Sequence, residues 1–137
     1  MTKRRLSLLL VGLFALGAAG CANRYKVDTD PPTYAGRAKL KVSVNRDDNR
    51  ELDVEVDHLA PPNRIDPNLK GYAVWIKVPG HAITKAGILH YNDRRRRGTL
   101  TATTPHPKFE VIVSLESDLS TPAPSGQVIL QKLVAHG

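Results

Sequence analysis

Sulfur is almost absent from this chain: Cys21 is the one cysteine in 137 residues. A lone cysteine excludes an intramolecular disulfide, so the fold must be held by burial. Aromatic residues make up 5%, with one Trp and two Phe, which leaves most of the core to Val, Leu and Ile. Helical periodicity is also missing, since no segment repeats apolar residues at a period of 3.6. The spacings that mark common site chemistry are missing too. His58, His81, His90, His106 and His136 form no His-Glu-x-x-His and have no cysteine to assist them. Ser114 lies in Val-Ser-Leu-Glu-Ser without a Gly-x-Ser-x-Gly elbow. Asp47-Asp48-Asn49 lacks the spaced oxygens and glycine of an EF-hand loop. The sequence therefore assigns no catalytic residue, metal or cofactor, and reads as a non-enzyme.

What the chain does have begins at its start, with Lys3-Arg4-Arg5, an apolar run over residues 6–19, and Ala18-Ala19-Gly20-Cys21. The run is too short to span a bilayer stably, and small residues precede the cut. This segment resembles a bacterial lipoprotein signal peptide, departing from it at Ala18, where leucine is commonest. The resemblance implies that Cys21 becomes the first mature residue and is acylated, so the membrane is a partner through a diacylglyceryl and acyl anchor. Ala22 after the cysteine, rather than aspartate, resembles the outer-membrane sorting choice and places the protein on the periplasmic face. Without residues 1–20, 117 remain, which suits one domain. Lys3, Arg4 and Arg5 are three of the 20 Lys+Arg, so the mature part carries 17 against 13 Asp+Glu, or +4 rather than +7. That balance gives no reason to expect nucleic acid as a partner.

Residues 21–36, broken by Asp28-Thr29-Asp30-Pro31-Pro32, read as a lipidated flexible tether, with Tyr25 and Tyr34 available to pack on the domain. Residues 37–137 read as a sandwich domain. Ala38, Leu40, Val42 and Val44 alternate with polar residues, as do Leu52, Val54 and Val56 beyond a turn-forming Arg46-Asp47-Asp48-Asn49-Arg50. A hairpin in which paired numbers sum to 96 sets Lys41 opposite Glu55 and Lys39 opposite Asp57 beside a wholly apolar face. Asp53, Glu55 and Asp57 then belong to a charge-matched face rather than to a site. Further strands are expected over 71–78, 83–91, 98–104, 109–116 and 127–134. Seven strands between Pro and Gly separators predict an all-β, antiparallel immunoglobulin-like β-sandwich, with a closed barrel as the alternative.

Two surfaces stand out. If Trp75 and Ala73 face inward, Val74, Ile76 and Ile112 face outward as a partner-binding patch. Otherwise loops or the tether cover both faces, or Trp75 itself points outward. Arg94, Arg95, Arg96 and Arg97 occupy a hairpin tip between the fourth and fifth strands. Such a tip suits multidentate anions, phosphate or carboxylate, and equally serves as a solubilising guard for sheet edges.

Tyr72-Ala-Val-Trp75-Ile, Ala86-Gly-Ile-Leu89, Gly98-Thr-Leu, Phe109-Glu-Val-Ile-Val-Ser-Leu-Glu116 and Pro124-Ser-Gly126-Gln-Val-Ile-Leu130 resemble the extracytoplasmic sandwich domain of anti-sigma-K-type regulators and related envelope lipoproteins. The resemblance covers about half the chain and implies an envelope-side sensing or binding module. It does not carry over sigma-factor inhibition, because those regulators add a transmembrane helix and a cytoplasmic region that this chain lacks. The expected function is a lipid-anchored envelope binding module without catalytic activity, whose partner is an envelope protein or an anionic glycan or lipid. Two alternatives are a scaffold or assembly subunit using Val74, Ile76 and Ile112, and an enzyme on envelope polymers. For the enzyme, His81 and His106 at separate strand ends, with Glu110, are the best-placed residues.

Overall fold

The computed structural model describes residues 21–137, and the expected signal segment 1–20 lies outside them. Nine strands form: β1 (Asn23–Asp28), β2 (Arg37–Val44), β3 (Arg50–Asp57), β4 (Gly71–Lys77), β5 (Thr84–Ile88), β6 (His90–Asn92), β7 (Arg97–Thr104), β8 (Lys108–Glu116) and β9 (Val128–Ala135). A single helical turn, α1 (Pro62–Ile65), precedes β4, with Pro61 at its N-cap. Sheet A has the order β1-β2-β3-β7-β6 and sheet B the order β5-β4-β8-β9. All pairings are antiparallel. The series β2-β3-β7-β6 facing β4-β8-β9 is the immunoglobulin-like arrangement, with β5 added beside β4 and β1 added outside β2.

The alternating residues meet between the sheets. Leu40, Val42, Leu52, Val54, Val74, Phe109, Val111, Val113 and Leu115 are all 2% exposed or less, each contributing about 1.5–3 kcal/mol of burial.

The tether expectation for residues 21–36 fails on β1. Tyr25 and Val27 point into the core while Arg24, Lys26 and Asp28 point out, a period of two carried by only two apolar residues. Asn23 Nδ2 and the Tyr25 hydroxyl both donate to Ala135 O (2.7 and 3.2 Å), and Asp30 N donates to Ile129 O (2.6 Å), stitching β1 and its following turn to β9. Tyr34, on that turn, stays 83% exposed.

The first hairpin keeps its expected faces with a register two residues away. Paired numbers sum to 94, setting Lys39 opposite Glu55, Lys41 opposite Asp53 and Val42 opposite Leu52. A two-residue shift preserves which side chains face the core. Asn45 selects it: its Oδ1 accepts from Asp47 N and Asn49 N (both 3.0 Å), its N–H donates to Asn49 O (2.8 Å), and Asp48 takes φ +62°. The result is a tight turn with a left-handed third residue.

The strand expected over 83–91 divides between the sheets. Leu89, 4% exposed, marks the crossing, and its N–H donates to Tyr72 O (2.9 Å). Thr84–Ile88 therefore edges sheet B, and His90–Asn92 edges sheet A.

Candidate functional site

The outer face of sheet B is closed. The pairing of Trp75 with Ile112 and of Ala73 with Ser114 puts these residues away from the main core, yet Ala73 and Trp75 are 0% and Ile112 is 7% exposed. They form a second apolar cluster with Ile83, Ile88 and Val128. Val74 and Ile76 belong to the main core instead. The expected exposed patch of Val74, Ile76 and Ile112 thus does not exist, because the first two lie on the opposite face of the sheet from the third and all three are buried. Trp75 points outward under cover.

Loop 117–127 is fastened over this cluster by a polar chain. Trp75 Nε1 donates to Ser114 Oγ (2.8 Å), and Ser114 Oγ donates to Glu116 Oε1 (2.9 Å). Glu116, 0% exposed, also accepts from Ser125 N (2.9 Å), Ser125 Oγ (2.6 Å) and Gly126 N (3.1 Å). Burial opposes its ionisation, but the Ser125, Gly126 and Ser114 donors win and hold the carboxyl below the usual glutamate value. A side chain at 126 is excluded, since a Cβ there would lie 1.7 Å from Leu115 O. Lys85 completes the cover, with Nζ 5.3 Å from the Trp75 ring centre and donating to Leu119 O (2.6 Å).

The outer face of sheet A is open and charged. β1 and β2 present Arg24, Lys26, Lys39 and Lys41, β3 presents Asp53, Glu55 and Asp57, and β7 presents Thr99, Thr101 and Thr103. Lys41 pairs with Asp53 (3.4 Å), and Lys39 with Glu55 (4.0 Å) and Asp57 (3.7 Å). Arg24 faces Lys41 and Lys26 faces Lys39 across the β1–β2 pairing. Among the described residues neither Arg24 nor Lys26 has an ion-pair partner. An open groove of ≈ 730 Å³ runs along this face, with the basic pair of strands on one side and His90, Thr99 and Thr101 on the other.

The four arginines divide. Arg97 opens β7 and is tied back to Asp57 (2.5 Å) and Glu55 (3.6 Å). Partial burial raises the Asp57 carboxyl, but the hydrogen bond and charge of Arg97, with Lys39, more than reverse this and hold it below the usual aspartate value. Arg94, Arg95 and Arg96 stay exposed on the four-residue turn between Asn92 and Arg97. That turn is ordered by its backbone: Asn92 Oδ1 accepts from Arg94 N (3.1 Å) and Arg95 N (3.0 Å), and Arg96 O accepts from Leu59 N (2.9 Å). Arg96 takes φ +52°. Beside the turn, a cleft of ≈ 610 Å³ is lined by Pro61, Pro62, Arg64, Lys70, Tyr91 and others. Burial holds the Tyr91 phenol above the ordinary tyrosine value, with the Arg96 and Arg64 charges opposing the rise and Asp93 adding to it.

Cys21 is exposed with a free thiol, and its carbonyl accepts a hydrogen bond from His136 Nε2. His81 and His106 do come together, with ring centres 5.1 Å apart. Glu110 lies opposite Lys77 on sheet B and accepts from Gln131 Nε2 (2.6 Å). Among the described residues, no three His, Cys, Asp or Glu side chains converge as a metal site. The Ser114–Glu116 network escaped sequence reading: serine and glutamate alternating on β8 look like ordinary solvent-facing positions until loop 117–127 folds over them.

Comparison with family models, with curated proteins and with solved structures found no match for the chain.

Proposed function

We propose that the protein is a lipid-anchored binding module of the bacterial cell envelope that takes anionic ligands on its cationic surface and performs no catalytic step. The observation that carries this reading is the position of Cys21. The residue that the signal pattern marks for acylation is exposed, two residues ahead of the start of β1, so a lipid there leaves the sandwich untouched. The uncompensated Arg24 and Lys26 and the exposed Arg94, Arg95 and Arg96 supply the anion-binding chemistry. The absence of aspartate after Cys21 favours the outer membrane, facing the periplasm. An assembly role through Val74, Ile76 and Ile112 loses its support, because those side chains are buried.

Metabolic labelling with a fatty-acid analogue tests the anchor. Wild type takes up label and Cys21→Ser takes up none. Equal labelling of the two contradicts the proposal.

A further inference from the structure

The topology separates the anchor from the arginine turn. Cys21 sits at the end of the sandwich where Asn23 pairs with Val42 and Arg50 pairs with Thr104. Two contacts hold it there: His136 Nε2 to the Cys21 carbonyl, and Arg50 Nε to His136 O (3.0 Å). Only Ala22 lies between Cys21 and β1. The opposite end is where Asp28 pairs with Arg37, Arg37 with Asp57, and Asn92 with Arg97. β7 runs between the two ends, from Arg97 to Thr104. Seven residue steps of ~3.3 Å make this about 23 Å. The Debye length at physiological ionic strength is about 8 Å, so an upright domain holds the arginine turn nearly three screening lengths from the headgroups around Cys21.

That far end combines two chemistries. Arg94, Arg95 and Arg96 offer guanidiniums whose planar forks match carboxylates. Tyr34, 83% exposed, stands at the same end and lines a shallow cleft of ≈ 540 Å³ with His58, Arg37 and Lys39, whose two cations are paired there with Asp28 and Asp57. An exposed ring and a guanidinium cluster on the same end of the sandwich, at opposite edges of sheet A, suit an extended polymer that carries carboxylated peptide stems on a glycan strand: the apolar face of a sugar rests on the ring, and the stem carboxylates take the cations.

We propose that the end bearing Arg94, Arg95, Arg96 and Tyr34 is a receptor for peptidoglycan, so that the protein bridges the membrane holding Cys21 to the cell wall. This rests on Cys21 carrying the lipid.

The test is sedimentation of the purified full-length protein, in non-ionic detergent, with isolated peptidoglycan sacculi, set against liposomes of anionic phospholipid. Cys21→Ser separates the two readings, because sacculus binding needs no acyl chain. Wild type and Cys21→Ser are expected to bind sacculi alike, and to release as NaCl rises from about 0.05 to 0.5 M. Combined Arg94→Gln, Arg95→Gln and Arg96→Gln lowers affinity roughly tenfold or more, and Tyr34→Ala about threefold. Both variants alter only exposed side chains, and an unchanged melting temperature verifies that they fold. Sacculus binding unchanged in both variants overturns the receptor. So does Cys21→Ser protein that prefers the liposomes, which assigns the arginines to a lipid surface. Failure of fatty-acid labelling overturns the anchor alone, leaving the sacculus result to stand by itself.

Discussion

The outer faces of the two sheets are built from the same alternating backbone and end in opposite states. On sheet B the outward positions Ala73, Trp75 and Ile112 are apolar, and a loop has closed over them to make a second core. On sheet A the outward positions of β1, β2 and β3 are Lys, Arg, Asp and Glu, and they remain in water as a ladder of ion pairs. Apolar outward residues recruit a cover, and the cover then needs polar fastening, which Glu116 provides. Charged outward residues forgo the cover and leave a surface for binding. The division leaves sheet A's outer face, with Arg24 and Lys26 free of ion-pair partners among the described residues, open to anionic ligands, while sheet B's outer face adds to the buried core.

The largest expected effect breaks the fastening. Glu116→Ala strands the buried hydroxyl of Ser114 and releases the part-buried donors of Ser125 and Gly126 that hold the loop, at about 3 kcal/mol in urea unfolding at pH 7. The same group sets a pH dependence. Its carboxyl titrates below the ordinary value of 4.5 in the folded state, so its contribution is complete above that value and is lost as pH falls through the lower, folded one. The stability gap between wild type and Glu116→Ala therefore narrows from pH 7 to pH 3. A constant gap would show that the ionised carboxylate is not what holds the loop.

A much smaller effect is expected on sheet A. Arg24→Glu replaces a like-charge pair opposite Lys41 with an attractive one, raising stability by a few tenths of a kcal/mol at low salt. A loss of 1 kcal/mol or more would mean that Arg24 has a structural partner and that the face is less free for ligand than its charge pattern implies.

Most of the sandwich was legible because strands such as Arg37–Val44 alternate strictly, and alternation survives a two-residue change of register. β1 was hidden by its brevity, as Tyr25 and Val27 are too few to establish a period against Asp28 and the prolines after it. The faces of β4 could not be read for a different reason. Tyr72-Ala-Val-Trp-Ile76 is apolar at every position, so nothing local says which side meets the main core; only the pairing with β8 and the fold of loop 117–127 decide it. The arginine run was visible, but its division was not. Arg97 is drawn off by Asp57 and Glu55, 40 residues and more away in sequence.

The central claim is that Cys21 anchors a domain whose arginine turn points away from the bilayer. Because an acylated Cys21 leaves no free thiol, Asp47→Cys on the anchor-end hairpin or Asp93→Cys on the arginine turn gives a single labelling site. With the lipidated protein in liposomes, a fluorophore at each site is exposed to headgroup spin-labelled lipid, which quenches only at close range. Strong quenching at position 47 and little at position 93 is the predicted result. Equal quenching at both, or stronger quenching at 93, would contradict it.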